Sequence, residues 1–187
     1  MAISEFVAIT ATAASLAIDA FSVSICIGLC HENLKLREAL VPSAAFGLFQ
    51  FIMPLTGGAA AVHLLKGFVG GWTPWVAAAL ISYVALNMIR EAYLGGENKS
   101  SMSLNLKNVI VLAVATSLDA LAVGFSIEST GGSALLLAIL AAVITFGLSL
   151  FGALVGKKLG SRLGQRAEYI GGGVLLIIAL KIILDTL

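Results

Sequence analysis

The chain has 187 residues, 59% of them hydrophobic and 11% charged, with a formal net charge of +1 and a mean hydropathy of +1.05. Soluble domains carry about a quarter charged residues, so this composition excludes a soluble enzyme and a disordered chain and predicts a membrane protein. A near-neutral balance with no basic tract also excludes a nucleic-acid-binding module, which needs cations to follow a phosphate backbone.

Taken in chain order, the runs free of charge predict six transmembrane helices, at about 5–29, 39–65, 70–93, 106–127, 133–156 and 167–185. No Lys or Arg precedes the first run and no small-residue cleavage site closes it, so it is expected to stay as a span rather than act as a signal peptide. The only cysteines, Cys26 and Cys30, lie four apart on one face of that helix. This is not the spacing of a redox or zinc pair and predicts ordinary packing. Polar or turn-forming stretches separate the spans: His31 to Glu38, Gly70-Gly71-Trp72-Thr73-Pro74, Gly95 to Ser103, Glu128 to Ser133 and Lys157 to Arg166. Lys35 and Arg37 fall in the first connection, Arg90, Lys99 and Lys107 around the third, and Lys157, Lys158, Arg162 and Arg166 in the fifth. The opposite side has Lys66 alone, Lys181 lying within the last span. The excess of basic residues places the odd-numbered connections in the cytoplasm and both termini outside it.

The chain repeats itself. Asp19-Ala20 with Val23 returns as Asp119-Ala120 with Val123, and Phe46-Gly47-Leu48 returns as Phe146-Gly147-Leu148, each 100 residues later. At a shift of 94, Ala85-Leu86 and Glu91 fall on Ala179-Leu180 and Asp185. Each half then holds three spans, an odd number, so the second half enters the bilayer from the opposite side. The expected fold is an all-α membrane protein in one domain, 1–187, built as two inverted three-helix repeats of about 1–95 and 105–187. Inverted repeats recur in secondary transporters, whose substrate sites lie near the midplane between the halves.

The repeated motif carries a carboxylate into the apolar middle. Asp19 and Asp119 are too short to reach the interface, and a central Asp costs roughly 2.5–3.5 kcal/mol to insert. No Lys or Arg lies at matching depth, which leaves a bound cation, a proton or water as partner. Thr12, Ser15, Ser22 and Cys26 share the face of Asp19; Thr116 and Ser126 share that of Asp119, with Ser117 to one side. Carboxylates, hydroxyls and carbonyls are hard ligands suited to Mg, Ca or Mn, whereas zinc or copper would call for His or Cys clusters. Two neighbouring carboxylates repel unless a cation or a shared proton neutralises one of them. The expected partners are therefore a divalent metal ion, as cargo rather than cofactor, and the lipid bilayer.

In the second span Gly47, Gln50, Pro54 and Gly57 form a stripe. Gln50 can supply a carbonyl oxygen or simply bond a neighbouring helix, and Pro54 leaves a backbone carbonyl without its usual donor. Gly152, Gly156, Gly160 and Gly164 read as a packing ridge. Glu38, Glu91 and Asp185 read first as solvated helix-end charges; functionally, Glu38 and Glu91 would draw cations to a cytoplasmic entrance. Two other functions compete. An intramembrane aspartyl protease shares only the pair of aspartates, since Leu16-Ala17-Ile18 and Thr116-Ser117-Leu118 precede them in place of a Gly-x-Gly signature. A thiol electron carrier fails on cysteine spacing.

Asp19-Ala20-Phe21-Ser22-Val23-Ser24, Phe46-Gly47-Leu48-Phe49-Gln50 with Met53-Pro54-Leu55, Ala115 through Gly124, and Ala167-Glu168-Tyr169-Ile170-Gly171-Gly172-Gly173 resemble the bacterial MntP manganese efflux pumps, over essentially the whole chain. The resemblance implies a six-helix Mn2+ exporter of the LysE superfamily, in which the aspartates matching Asp19 and Asp119 are required and Glu38 fits the family pattern. Asn87 departs from it, standing where a small residue or glycine is expected. Export rather than import rests on the resemblance, and export from the cytoplasm implies the inner membrane. Another divalent cation remains open as cargo, and so does proton coupling.

Overall fold

The computed structural model describes residues 3–31, 34–63 and 106–163, together with scattered positions between 79 and 86 and between 173 and 184. Its long elements are four helices: α1 (Ile3–Cys30), α2 (Leu36–His63), α3 (Leu106–Ser129) and α4 (Ala134–Leu163). They correspond to the first, second, fourth and fifth predicted spans. The apolar runs fix their existence, and polar signals fix their ends. Lys35 is the N-cap of α2: its N–H donates to the carboxylate of Glu38 three residues on, at 2.8 Å, the backward half of a capping box. Glu38 thus closes a helix end.

Helix α3 stops at Gly131, which has a φ of +83°. Gly131 N–H donates to Glu128 O and Gly132 N–H to Ile127 O, the paired bonds of a Schellman turn that only glycine adopts without strain. Ser133 then caps α4, its Oγ accepting from Leu136 N–H at 3.2 Å, while Glu128 accepts from Ala134 N–H at 3.0 Å. α4 runs to Leu163, seven residues past the predicted end of its span, because Lys157, Lys158 and Arg162 are good helix formers that continue into the polar zone. The described positions within the third and sixth predicted spans, among them Ala79, Leu86, Leu176 and Leu180, are all helical. Most of both spans, with Asn87, Arg90, Glu91, Gly164 and Asp185, lies outside the described residues.

All four helices are long and apolar enough to cross a bilayer. Their burial runs opposite to that of a soluble protein. Ile18, Leu48, Val62, Val143 and Phe151 are exposed, whereas Ser43, Gln50, Ser117, Thr145 and Ser149 are fully buried. An apolar outer surface around a polar interior suits lipid as the surrounding solvent.

Packing is dominated by α1 against α4 and α2 against α3, with α2 also against α4. Both main seams are parallel and glycine-mediated. Gly152, Gly156 and Gly160 lie on the backbone of α1 at Phe21, Ile25 and Leu29, so close that a Cβ at any of them would strike a carbonyl. In the other seam Gly57 meets the backbone at Leu121, and Gly124 meets Pro54. In lipid, where hydrophobic burial does not drive helix association, such close approach is what gives dispersion contacts their strength. The packing ridge read from Gly152, Gly156 and Gly160 is therefore present. Cys26 and Cys30 are buried and form no disulfide, within an apolar cluster with Phe46 and Leu112, as expected of packing residues.

A candidate cation site between α1, α2 and α3

Asp19 and Asp119 sit in the middle of α1 and α3 because each span is apolar on both sides of its motif. The structure brings them within reach of each other's charge. Asp19 is exposed and Asp119 partly buried. One Asp119 carboxylate oxygen accepts from the N–H of Ala120 at 2.7 Å. Among the described residues no third His, Cys, Asp or Glu joins them. A cation held here would complete its shell from carbonyl, amide, hydroxyl or water oxygens, which suits a hard ion.

Gln50 joins the two aspartate helices. Its side chain is fully buried, and Nε2 donates to Leu16 O and to Thr116 O, each at 3.2 Å. Those carbonyls are 100 residues apart in sequence and precede Asp19 and Asp119 by three residues each. One amide therefore grips equivalent points of the two repeated motifs. Its Oε1 is buried with no hydrogen-bond partner, an acceptor that in an apolar interior costs about 1–3 kcal/mol when left unpaired. The helix tie expected of Gln50 is thus present, and its Oε1 takes no part in it. Pro54, one turn on, lacks the N–H that would bond the backbone carbonyl of Gln50.

The hydroxyls differ in availability. Ser15 is exposed on the same face of α1 as Asp19. Ser22 donates to Ile18 O at 2.9 Å, Thr116 to Leu112 O at 3.0 Å, and Ser117 to Ala113 O at 2.7 Å. These donors are spent on their own helices, which leaves the oxygen lone pairs for any ligand. Sequence reasoning does not single out Ser24, Thr145 and Ser149, whose hydroxyls are buried and have no partner at all. Thr145 and Ser149 stand four apart in the most apolar of the four described spans, and that spacing is their only signal. Their counterparts 100 residues earlier, Ala45 and Phe49, are apolar, so the repeat cannot reveal them.

A family model described as "Putative manganese efflux pump" matches residues 33–183. Proteins of that description, named MntP, from Gloeothece citriformis and Methanobrevibacter smithii are each 38% identical to this chain, covering 98% and 96% of it and 97% of their own lengths. One from Saccharophagus degradans is 38% identical over 91% of this chain and 94% of its own. No solved structure matches.

Proposed function

The chain belongs to the MntP family of manganese efflux pumps, and we propose that it exports Mn2+ from the cytoplasm by alternating access, with Asp19 and Asp119 as the ligands of the transported ion. It is a multi-pass membrane protein. On this reading it has six spans in two inverted repeats, 1–95 and 105–187, and lies in the inner membrane with both termini outside the cytoplasm. Packing supports the repeat: exchanging α1 with α3 and α2 with α4 converts the α1–α4 seam into the α3–α2 seam, and both are parallel and glycine-mediated.

The observation that carries the site is the Gln50 bridge between the equivalent carbonyls of Leu16 and Thr116, with the two repeated carboxylates in mutual electrostatic reach beside it. A divalent ion between them relieves their repulsion, and when it leaves a proton does the same. That exchange gives a basis for proton coupling. Ser15, Ser22, Thr116 and Ser117 supply further oxygens, and Gln50 Oε1 is a neutral one. Glu38 is exposed at the start of α2; besides capping that helix, it and Glu91 draw cations toward the cytoplasmic entrance.

Flux measured in proteoliposomes with Mn2+, Mg2+, Ca2+ and Fe2+ in turn tests the assignment. Saturable Mn2+ flux exceeding that of Mg2+ and Ca2+ is expected. Equal rates for all four, or none for Mn2+, would refute it.

A further inference from the structure

A hydroxyl inside an apolar helix ordinarily bonds the carbonyl one turn back, and Thr10, Thr12, Ser22, Ser43, Thr116 and Ser117 all do so, at 2.7–3.0 Å. Ser24, Thr145 and Ser149 do not, although they are 0–1% exposed. Forgoing a bond that the helix offers at no cost in reach leaves a donor and two lone pairs turned to something else.

The three belong to one seam. Gly152 lies on Phe21 and Gly156 on Ile25, which sets Ser24 beside the α4 segment 152–156. Ser149 and Thr145 follow on the same face of α4, one and two turns toward the bilayer middle. α2 closes the third side: Ala39 clusters with Ala153, and Gly47 touches Ala142 and Phe146, so residues 39–47 of α2 run past this stretch of α4. The seam thus leads from the ends of α1 and α4, on the side that the basic residues assign to the cytoplasm, inward to the level of Gln50. At its outer end Lys157 Nζ donates to Leu34 O at 2.7 Å, tying α4 to the first connection.

Among the described residues the opposite seam has no such unpartnered hydroxyls. The counterparts of Ser24, Thr145 and Ser149 are Gly124, Ala45 and Phe49. A transporter whose two halves were equivalent would treat the two sides of the membrane alike; here, among the described residues, the buried hydroxyls without a partner all lie along one of the two seams.

We propose that Ser24, Thr145 and Ser149 line the cytoplasmic route by which a hydrated divalent cation reaches the Asp19–Asp119 pair, a route closed in this structure by the contact of α1 with α4. The proposal rests on the efflux reading. Groups that meet water when α4 swings away from α1, and are buried when it returns, must be polar yet small enough for glycine-mediated packing, and these three are.

The test uses the full chain in proteoliposomes, carrying S24A, T145V and S149A together. If the hydroxyls were idle, removing unpartnered polar groups would leave Tm unchanged or raise it and leave flux intact. Expected instead is Mn2+ flux at least about tenfold lower, with Tm preserved and Mn2+ affinity within about twofold of wild type. Wild-type flux in the triple variant overturns the proposal, whereas absence of Mn2+ flux in the unaltered protein overturns the efflux reading itself. Should the triple variant fold poorly, S149C in a C26A/C30A background decides. An impermeant thiol reagent applied from the cytoplasmic side labels it, Mn2+ alters the rate, and V143C, facing lipid at similar depth, stays unlabelled. Failure to label S149C under transport conditions overturns the proposal.

Discussion

Gln50 separates two kinds of contribution at the level of single residues. Its Nε2 bonds to Leu16 and Thr116 carbonyls are cross-helix bonds inside lipid, worth on the order of 0.5–2 kcal/mol each, and its Oε1 is the spare oxygen. Gln50→Leu, the residue found at the equivalent position 150, should therefore lower thermal stability by about 1–2 kcal/mol and weaken Mn2+ binding. Calorimetry and Mn2+ titration of the variant check both effects, and unchanged Mn2+ affinity would remove Gln50 from the site. Glu38 behaves differently. As a cap of α2, its replacement by Ala should cost about 1 kcal/mol of stability, and its replacement by Gln should retain most of the bond, since an amide oxygen also accepts from Lys35 N–H. If E38Q instead loses flux while keeping stability, the cation-attracting role dominates.

Among the helices, the glycines of α4 give a sharp contrast. Gly156 has no space for a side-chain carbon against the α1 backbone, whereas Gly147 has nothing within 4 Å. Gly156→Ala should force α1 and α4 apart and cost about 1–3 kcal/mol; Gly147→Ala should be neutral or stabilising by up to about 1 kcal/mol, through helix propensity alone. Thermal denaturation in detergent separates them, and equal effects would mean that the seam is not set by glycine contact. The four long helices are legible from charge-free runs, and the Gly152–Gly160 ridge from its spacing, because both follow from local sequence. The continuation of α4 to Leu163 is not, since charged helix formers carry no apolar signal. Nor is the pairing of α1 with α4 rather than with its neighbour in sequence: pairing is a property of three-dimensional packing, and parallel partners are never adjacent in the chain.

At the scale of the whole molecule, the repeat of Asp19-Ala20 at Asp119-Ala120 makes the two carboxylates legible from sequence alone, since insertion cost singles out charge in an apolar run. What sequence cannot show is that a residue with no repeat counterpart, Gln50, bridges the two motifs, or that the unmatched hydroxyls of α4 collect along one seam. Both depend on which helices meet. The charge distribution predicts that a reporter enzyme active only outside the cytoplasm will be active when fused at either terminus and inactive in the connection between α1 and α2; the reverse pattern would invert the transport direction assigned to each seam. The central claim, that Asp19 and Asp119 together carry the ion, is tested most directly by Mn2+ flux in proteoliposomes holding D19N or D119N at equal density to wild type. Asn keeps the shape and removes the charge, so each variant should stay folded with flux at background level. Wild-type flux in either one would contradict the account.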